Sequence, residues 1–383
     1  MIKSTSNEKP NIGFDLSPFI VIWEVTQSCD LACLHCRADA RTCRDPRELT
    51  TYQGRGLIDD IAGFGSPLLV LTGGDPLKRE DIYELIACGV EKGLRTTVSP
   101  SVTPLLTDES ILKLKKAGIS RMAVSLDGST PLVHDSFRGV HGSFGRTIEV
   151  LSLSAREGIP IQINTTVTKY NIGDFDSIAK LISGFSPVLW SVFFLVPTGR
   201  GRAADSVSAL EYEEVFAKMY ELSKVMPYDI KSTEAPHYRR FTAQARVRES
   251  RAGKRPADAA CGGKRDTVGR APRGINDGKG FVFVSHTGEV YPSGFLPLSG
   301  GNVKNESIVD IYRNSPLFRE IRDYDRLKGK CGACEFKNIC GGSRARAYAL
   351  TGDYMESEPF CVYVPKGYEA GTSGGESVCE AEI

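Results

Sequence analysis

Three cysteines in Cys29-Asp-Leu-Ala-Cys33-Leu-His-Cys36 are separated by three and then two residues. Thiolates on one such loop fold onto a face of a cubic [4Fe–4S] cluster, leaving the fourth iron open to a small molecule. Zinc competes for thiolates, but closed zinc sites want four ligands, commonly as two separated pairs. A structural disulfide fits less well, because three thiols are odd and nothing in the sequence looks secreted. A second set lies near the C-terminus: Cys331-Gly-Ala-Cys334, Cys340 and Cys361. It is a complete tetradentate set, and spacing alone does not separate a cubane cluster from zinc there. As a cluster it has no open iron, which suits electron transfer or structural support better than substrate binding.

The elements that must position these thiols alternate along the chain. The first set follows residues 19–25, an apolar, β-branched run that reads as a strand. Further strands are predicted over 67–71, 94–98, 121–126, 161–167 and 189–196. Helices are predicted from about Thr51 and over 80–91, 108–117, 144–156 and 175–181, with Gly118 and Gly158 where C-terminal caps belong. Six βα units of this kind imply an α/β fold: a partial (βα)6 TIM-like barrel with helices on its outer face. Chemistry then belongs at the C-terminal ends of the strands. The cysteine triplet ends the first strand, and Leu71-Thr-Gly-Gly-Asp-Pro76 ends the second. There Gly73 and Gly74 admit close backbone approach, and Asp75 can accept from a cation; an ordinary βα turn has the same composition. The fourth strand runs into Ser125-Leu-Asp-Gly128 and then His134-Asp-Ser-Phe-Arg-Gly139.

The chain divides into an N-terminal arm (1–17), a core (18–230), a connector (231–280), a small C-terminal α+β domain (281–366) and a flexible tail (367–383) in which Cys379 is incidental. Residues 239–273 hold eleven basic and three acidic side chains. They read as a solvated connector, or as a positively charged lid over an acidic substrate. Overall, 48 basic against 47 acidic side chains give a net charge of +1, which makes no case for nucleic acid or an anionic membrane as partner. No apolar run reaches the length of a membrane span, and the N-terminus lacks a signal-peptide core, so a cytoplasmic location is expected. In that reducing compartment, eleven cysteines point to metal rather than disulfides.

The triplet spacing is the signature of the radical S-adenosylmethionine (SAM) superfamily, which the sequence resembles. The resemblance implies that Gly73, Gly74 and Asp75 bind the SAM amino group, Asp75 standing where Glu is usual. It implies that Ser125 and Arg138 contact the SAM carboxylate and that Asn164 reaches the ribose. The C-terminal cysteines resemble the SPASM-type extension, so two [4Fe–4S] clusters are expected, one binding SAM and one auxiliary. Ile161-Gln-Ile-Asn-Thr-Thr-Val-Thr168, Leu195-Val-Pro-Thr-Gly-Arg200, Ala235-Pro-His-Tyr238 and Gly341-Gly-Ser-Arg-Ala-Arg-Ala-Tyr348 are similar to one branch. That branch serves the sirohaem-dependent haem pathway and includes decarboxylases of iron-coproporphyrin III.

The branch implies SAM cleavage to a 5′-deoxyadenosyl radical, hydrogen abstraction from a propionate β-carbon, and loss of carbon dioxide and one electron. The electron for cleavage comes from a reductant such as ferredoxin or flavodoxin. Arg200, Arg202, Arg239 and Arg240 are candidate propionate partners, because guanidinium forks suit carboxylates. His237 is a candidate axial ligand to the substrate iron, with a packing histidine as the alternative. Where cysteines of a further auxiliary cluster are expected, the chain has Val282, Ser293 and Ser343, with only Cys261 remaining, so that cluster is expected to be absent or degenerate. Gly294 replaces the acid that sulfatase-maturing enzymes carry. Two rival functions stand beside the haem reading: a peptide-modifying radical SAM enzyme and a non-catalytic iron–sulfur protein. No segment before Phe19 is long enough for a peptide-recognition domain, and the Gly73-Gly74-Asp75 motif argues against the second.

Overall fold

The computed structural model describes residues 13–253, 271 and 274–369. Cys261, Cys379, most of the N-terminal arm, much of the basic run and the tail from residue 370 lie outside them. The strands are β1 (Ile20–Glu24), β2 (Leu68–Thr72), β3 (Arg95–Val98), β4 (Arg121–Ser125), β5 (Ile161–Val167), β6 (Leu189–Phe194), β7 (Asp229–Thr233), β8 (Phe281–Val284) and β9 (Val290–Tyr291). They form one sheet in the order β7-β6-β5-β4-β3-β2-β1-β8-β9. Every pairing is parallel except that of β8 with β9. The first six strands stand in sequence order, as a partial barrel requires.

Two-residue alternation divides each strand between two faces. Ile20 and Ile22, Leu68, Val70 and Thr72, Ala123 and Ser125, Gln162, Asn164 and Thr166 line a central cavity. Their neighbours Val21, Trp23, Leu69, Leu71, Val124, Ile163 and Trp190 are wholly buried in the main hydrophobic core. Around the sheet run α1 (Thr51–Ala62), α2 (Ile82–Glu91), α3 (Asp108–Lys116), α4 (Pro131–Arg138), α5 (Ser143–Arg156), α6 (Phe175–Ser183), α7 (Ala209–Val225) and α8 (Tyr238–Arg251). Four shorter helices follow: α9 (Ile308–Asn314), α10 (Pro316–Arg322), α11 (Gly329–Ala333) and α12 (Arg344–Thr351). Capping boxes start α1, between Thr50 and Gln53, and α7, between Ser208 and Glu211. Gly118 and Gly158 take positive φ just past α3 and α5, where a side chain would be strained.

Three features differ from expectation. The stretch after the fourth strand, over which no helix is predicted, contains α4, which Thr130 caps and Pro131 opens. The region read as a connector carries the end of β7 and all of α8. Its arginines are spread along a helix that buries only Tyr238, Arg240 and Ala245, so it lacks a clear apolar stripe. Finally, β8 does not stand in a separate unit but pairs with β1, Val284 opposite Trp23. Among the described residues, no helix is long and apolar enough to cross a membrane.

Candidate active site and auxiliary metal centre

Cys29, Cys33 and Cys36 leave β1 and line a cavity of about 700 Å³ at the C-terminal mouth of the sheet. Each sulfur already has a hydrogen-bonding neighbour. The backbone N–H of Leu31 donates to Cys29 Sγ and that of Ala40 to Cys36 Sγ, both at 3.4 Å. Arg138 Nη1 donates to Cys33 Sγ at 3.4 Å. Burial pushes the Cys29 thiol up, as it does for any acid that must ionise away from water.

The loop is tied down from several directions. Arg200 Nε donates to the Cys33 carbonyl and the Arg200 backbone N–H to that of Cys36, both at 2.9 Å. His35 stacks on Phe137 of α4 with ring centroids 4.3 Å apart. The glycine turn after β2 closes the remaining side, where the N–H of Gly74 donates to the Thr26 carbonyl. A Cβ on Gly73 would collide with the Thr26 carbonyl oxygen, and one on Gly74 with that of Ser28. These glycines therefore permit the βα turn to lie on the cysteine loop.

Gly73 and Gly74 line the cavity, but Asp75 is not in its wall. The Asp75 carboxylate is buried, accepts from Thr103 Oγ1 at 2.7 Å and caps the short turn Pro76–Lys78 through the N–H of Leu77. Burial raises its pKa. Ser125, Asn164 and Arg138 do line the cavity, and Ser125 and Asn164 are cross-strand partners on β4 and β5. Arg138 is held by Asp127, Nη2 to Oδ2 at 2.9 Å.

Of the arginines expected at a substrate, only Arg239 is brought to the cavity wall. Arg200 is spent on the cysteine loop, and Arg202 pairs outside with Asp205 and Tyr170. His237 and Arg240 belong to a different place. They line a second, smaller cavity together with Cys331, Cys334, Cys340 and Cys361. The expectation of His237 as an axial ligand in the substrate cavity is thus corrected: α8 presents Arg239 to one cavity and its other face to the next.

At the second cavity the N–H groups of Glu358, Phe336 and Gly342 donate to the sulfurs of Cys331, Cys334 and Cys340 at 3.3–3.4 Å. Lys330, Lys337 and Arg240 add positive charge around it. Four thiols under backbone N–H donors and cations fit an anionic iron–sulfur cluster. Burial pushes the Cys340 thiol up to about 12, a cost that a bound metal ion removes. All nine cysteines among the described residues are free thiols. Among those residues no three His, Cys, Asp or Glu side chains converge to hold a single metal ion. The four thiols border a space instead.

Sequence reasoning missed a pair of acids in the large cavity. Glu234 follows β7 with φ +59° and accepts from Ser343 Oγ at 3.0 Å. Asp277 accepts from the N–H groups of Arg344 and Ala345 and from the Ser293 side chain. Both acids line the cavity. Burial first, and the charge of Asp277 second, push Glu234 up to about 8. Ser293 and Ser343, standing where cysteines were expected, are thus carboxylate partners here, while Val282 is core. No local pattern announces Glu234; only the serine substitutions pointed at this wall.

A barrel mouth with three thiols on the first loop and a four-thiol centre beside it define a radical SAM protein with a SPASM-type C-terminal domain. Residues 23–182 match the Radical SAM superfamily, and residues 276–335 match the SPASM iron–sulfur cluster-binding domain. The fold is that of SuiB from Streptococcus suis, solved with S-adenosylmethionine, at a TM-score of 0.68 and 16% identity over 91% of this chain and 78% of that one. An AdoMet-dependent heme synthase of Methanosarcina barkeri is 41% identical over 92% of this chain and 99% of its own length. That of Nitratidesulfovibrio vulgaris is 43% identical over 91% and 93%. The chain belongs to this family of radical SAM enzymes.

Proposed function

We propose that the chain oxidatively decarboxylates propionates of iron-coproporphyrin III in haem biosynthesis. The observation that carries this reading is the end-to-end similarity to heme synthases at 41% and 43% identity. The cavity supports it: about 700 Å³, within the range of small-molecule sites, with Arg239 in its wall.

Bound at Cys29, Cys33 and Cys36, a [4Fe–4S] cluster with SAM supplies reductive cleavage of the SAM carbon–sulfur bond and hydrogen-atom abstraction from an unactivated carbon. A second cluster on Cys331, Cys334, Cys340 and Cys361 supplies electron acceptance. Removing a hydrogen atom, carbon dioxide and one electron from a propionate leaves a vinyl group, so no proton has to be moved. Accordingly no general base is assigned. The chain's own residues bind and orient. Ser125, Arg138 and Asn164, all in the cavity wall, take SAM's polar groups, with Gly73 and Gly74 giving the backbone room. Arg239 takes a propionate. Asp75 acts through the turn that it caps rather than as a direct partner of SAM. The enzyme works in the cytoplasm with a low-potential reductant such as ferredoxin or flavodoxin. Likeness to SuiB speaks for the fold alone and lends the peptide-modifying alternative no support.

The test is anaerobic turnover of reconstituted protein with SAM, dithionite and iron-coproporphyrin III, read by mass spectrometry. The expected product has lost two carboxyl groups. If 5′-deoxyadenosine forms while the porphyrin stays intact with a physiological reductant as well as dithionite, the haem reading falls and the peptide reading replaces it.

A further inference from the structure

Helix α8 begins against the four-cysteine cavity, and its cap and first turn carry two donors that the protein leaves unused. His237, immediately before the helix, is fully buried, and neither ring nitrogen has a hydrogen-bond partner. Arg240, one turn later on the same face, is buried as well. Its Nη1 donates to Glu213 Oε2 at 3.1 Å and to Gln244 Oε1 at 3.0 Å, while its Nε–H has no partner. Both side chains line the cavity that Cys331, Cys334, Cys340 and Cys361 border.

A buried donor without a partner loses its hydration and gains nothing in return, and native folds rarely leave two side by side. Beside His237 lie two rings: Tyr212 stacks at 5.3 Å and Phe216 packs edge-on at 4.9 Å, and neither offers the imidazole a hydrogen bond. Whichever ring nitrogen holds the proton, an imidazole carries an N–H to give. The three thiol sulfurs named above already take backbone N–H groups, and Arg344 Nη2 approaches Cys331 Sγ at 3.7 Å. What lacks donors is the space between the thiols, where a cubane would place its sulfides.

We propose that His237 and Arg240 donate hydrogen bonds to sulfurs of an iron–sulfur cluster in this cavity and set its reduction potential. This rests on reading the four cysteines as a cluster site. Hydrogen bonds to cluster sulfurs favour the reduced, more negative state, so each donor raises the potential. Their role is to position and tune; neither touches the porphyrin.

The experiment uses full-length protein with Cys29, Cys33 and Cys36 all changed to Ala, reconstituted anaerobically so that only the C-terminal centre contributes. His237→Phe, His237→Asn and Arg240→Gln are added singly. Iron content reports loading, an EPR-monitored redox titration gives the midpoint, and pulsed ENDOR after exchange into D₂O reads exchangeable protons near the cluster. His237→Phe is expected to retain iron, shift the midpoint to more negative potential and lose an exchangeable-proton coupling. His237→Asn, which restores an N–H, recovers part of both, and Arg240→Gln shifts the midpoint the same way. Loaded variants with the parent's midpoint and couplings overturn the proposal, a buried water then being the partner of both donors. Should His237→Phe fail to load, Arg240→Gln and the parent's own exchangeable couplings decide. A C-terminal centre that takes zinc and no iron instead removes the cluster reading on which the proposal stands.

Discussion

Arg346 Nη1 lies 3.1 Å from Glu358 Oε2 in an ion pair closed to solvent on both sides. The remaining donors of Arg346 reach the carbonyls of Phe194, Leu195 and Glu234 at 2.7–3.2 Å. One guanidinium thus fastens the ends of β6 and β7 to the segment that carries Cys361. Removing one partner of a buried pair strands the other charge, at a cost of about 3–5 kcal/mol. Arg346→Met is expected to lose that much stability in urea unfolding followed by circular dichroism. Adding Glu358→Gln should recover part of the loss, since the stranded charge is then gone. A change below about 1 kcal/mol, the scale of an exposed pair, would show that the pair is solvated.

The two cysteine sets should load independently, because they border separate cavities. Cys33→Ala leaves two thiolates on the first loop, too few to hold a cluster. It is expected to abolish 5′-deoxyadenosine formation while the far-ultraviolet spectrum stays unchanged. The parent should bind about eight irons and the triple Cys29/Cys33/Cys36→Ala variant about four, by the four-iron stoichiometry of cubane sites. SAM cleavage at the parent rate by Cys33→Ala would sink the assignment.

Much of this site was legible because the core strands are apolar and β-branched. Residues 161–167 read as a strand to the residue, and the cysteine triplet fell where β1 ends. What was not legible depends on long-range pairing or on a choice of face. The strand β7 reads Asp-Ile-Lys-Ser-Thr, with only Ile230 buried, and is recognised as a strand only once β6 lies beside it. The pairing of β8 with β1 joins residues far apart in sequence, which no local pattern encodes. His237, Arg239 and Arg240 are consecutive or nearly so, yet the first turn of α8 sends them to two cavities. Asp75 had the right neighbours, but its short side chain satisfies its own turn.

Glu234 makes substrate binding depend on pH in a definite direction. Burial, then Asp277, pushes its carboxyl up to about 8, against an ordinary value of 4.5. The acid pair therefore keeps a proton toward neutral pH and gains negative charge as the pH rises. A porphyrin bearing carboxylates meets an added negative charge there, so its affinity is expected to hold below pH 7 and fall severalfold by pH 9. Glu234→Gln keeps a neutral group at all these pH values and should reduce the pH dependence to what Asp277 contributes. Absorbance titrations of iron-coproporphyrin III across that range give the answer; identical profiles for parent and variant would place the pH dependence elsewhere.

Arg239 offers the most direct test of how the porphyrin is held. It lines the large cavity, with Nη2 on the Ile275 carbonyl at 2.5 Å and Nη1 on that of Ile339 at 3.3 Å. These are neutral acceptors, and among the described residues no carboxylate pairs with it. Its burial costs free energy, which lowers its pKa; a propionate arriving at the wall offsets that cost. A hydrogen bond to a charged group is worth about 1.5–3 kcal/mol, or roughly 10–100-fold in affinity. Arg239→Gln should weaken iron-coproporphyrin III by that factor in a Soret titration. Arg202→Gln is the control, since Arg202 lies outside the cavity and pairs with Asp205. His237→Phe should leave the Soret position of the bound porphyrin unchanged, because its ring faces the cysteine cavity. Equal affinities for Arg239→Gln and the parent would mean that the propionates are read by another part of the wall. A Soret shift in His237→Phe would return the imidazole to the substrate iron.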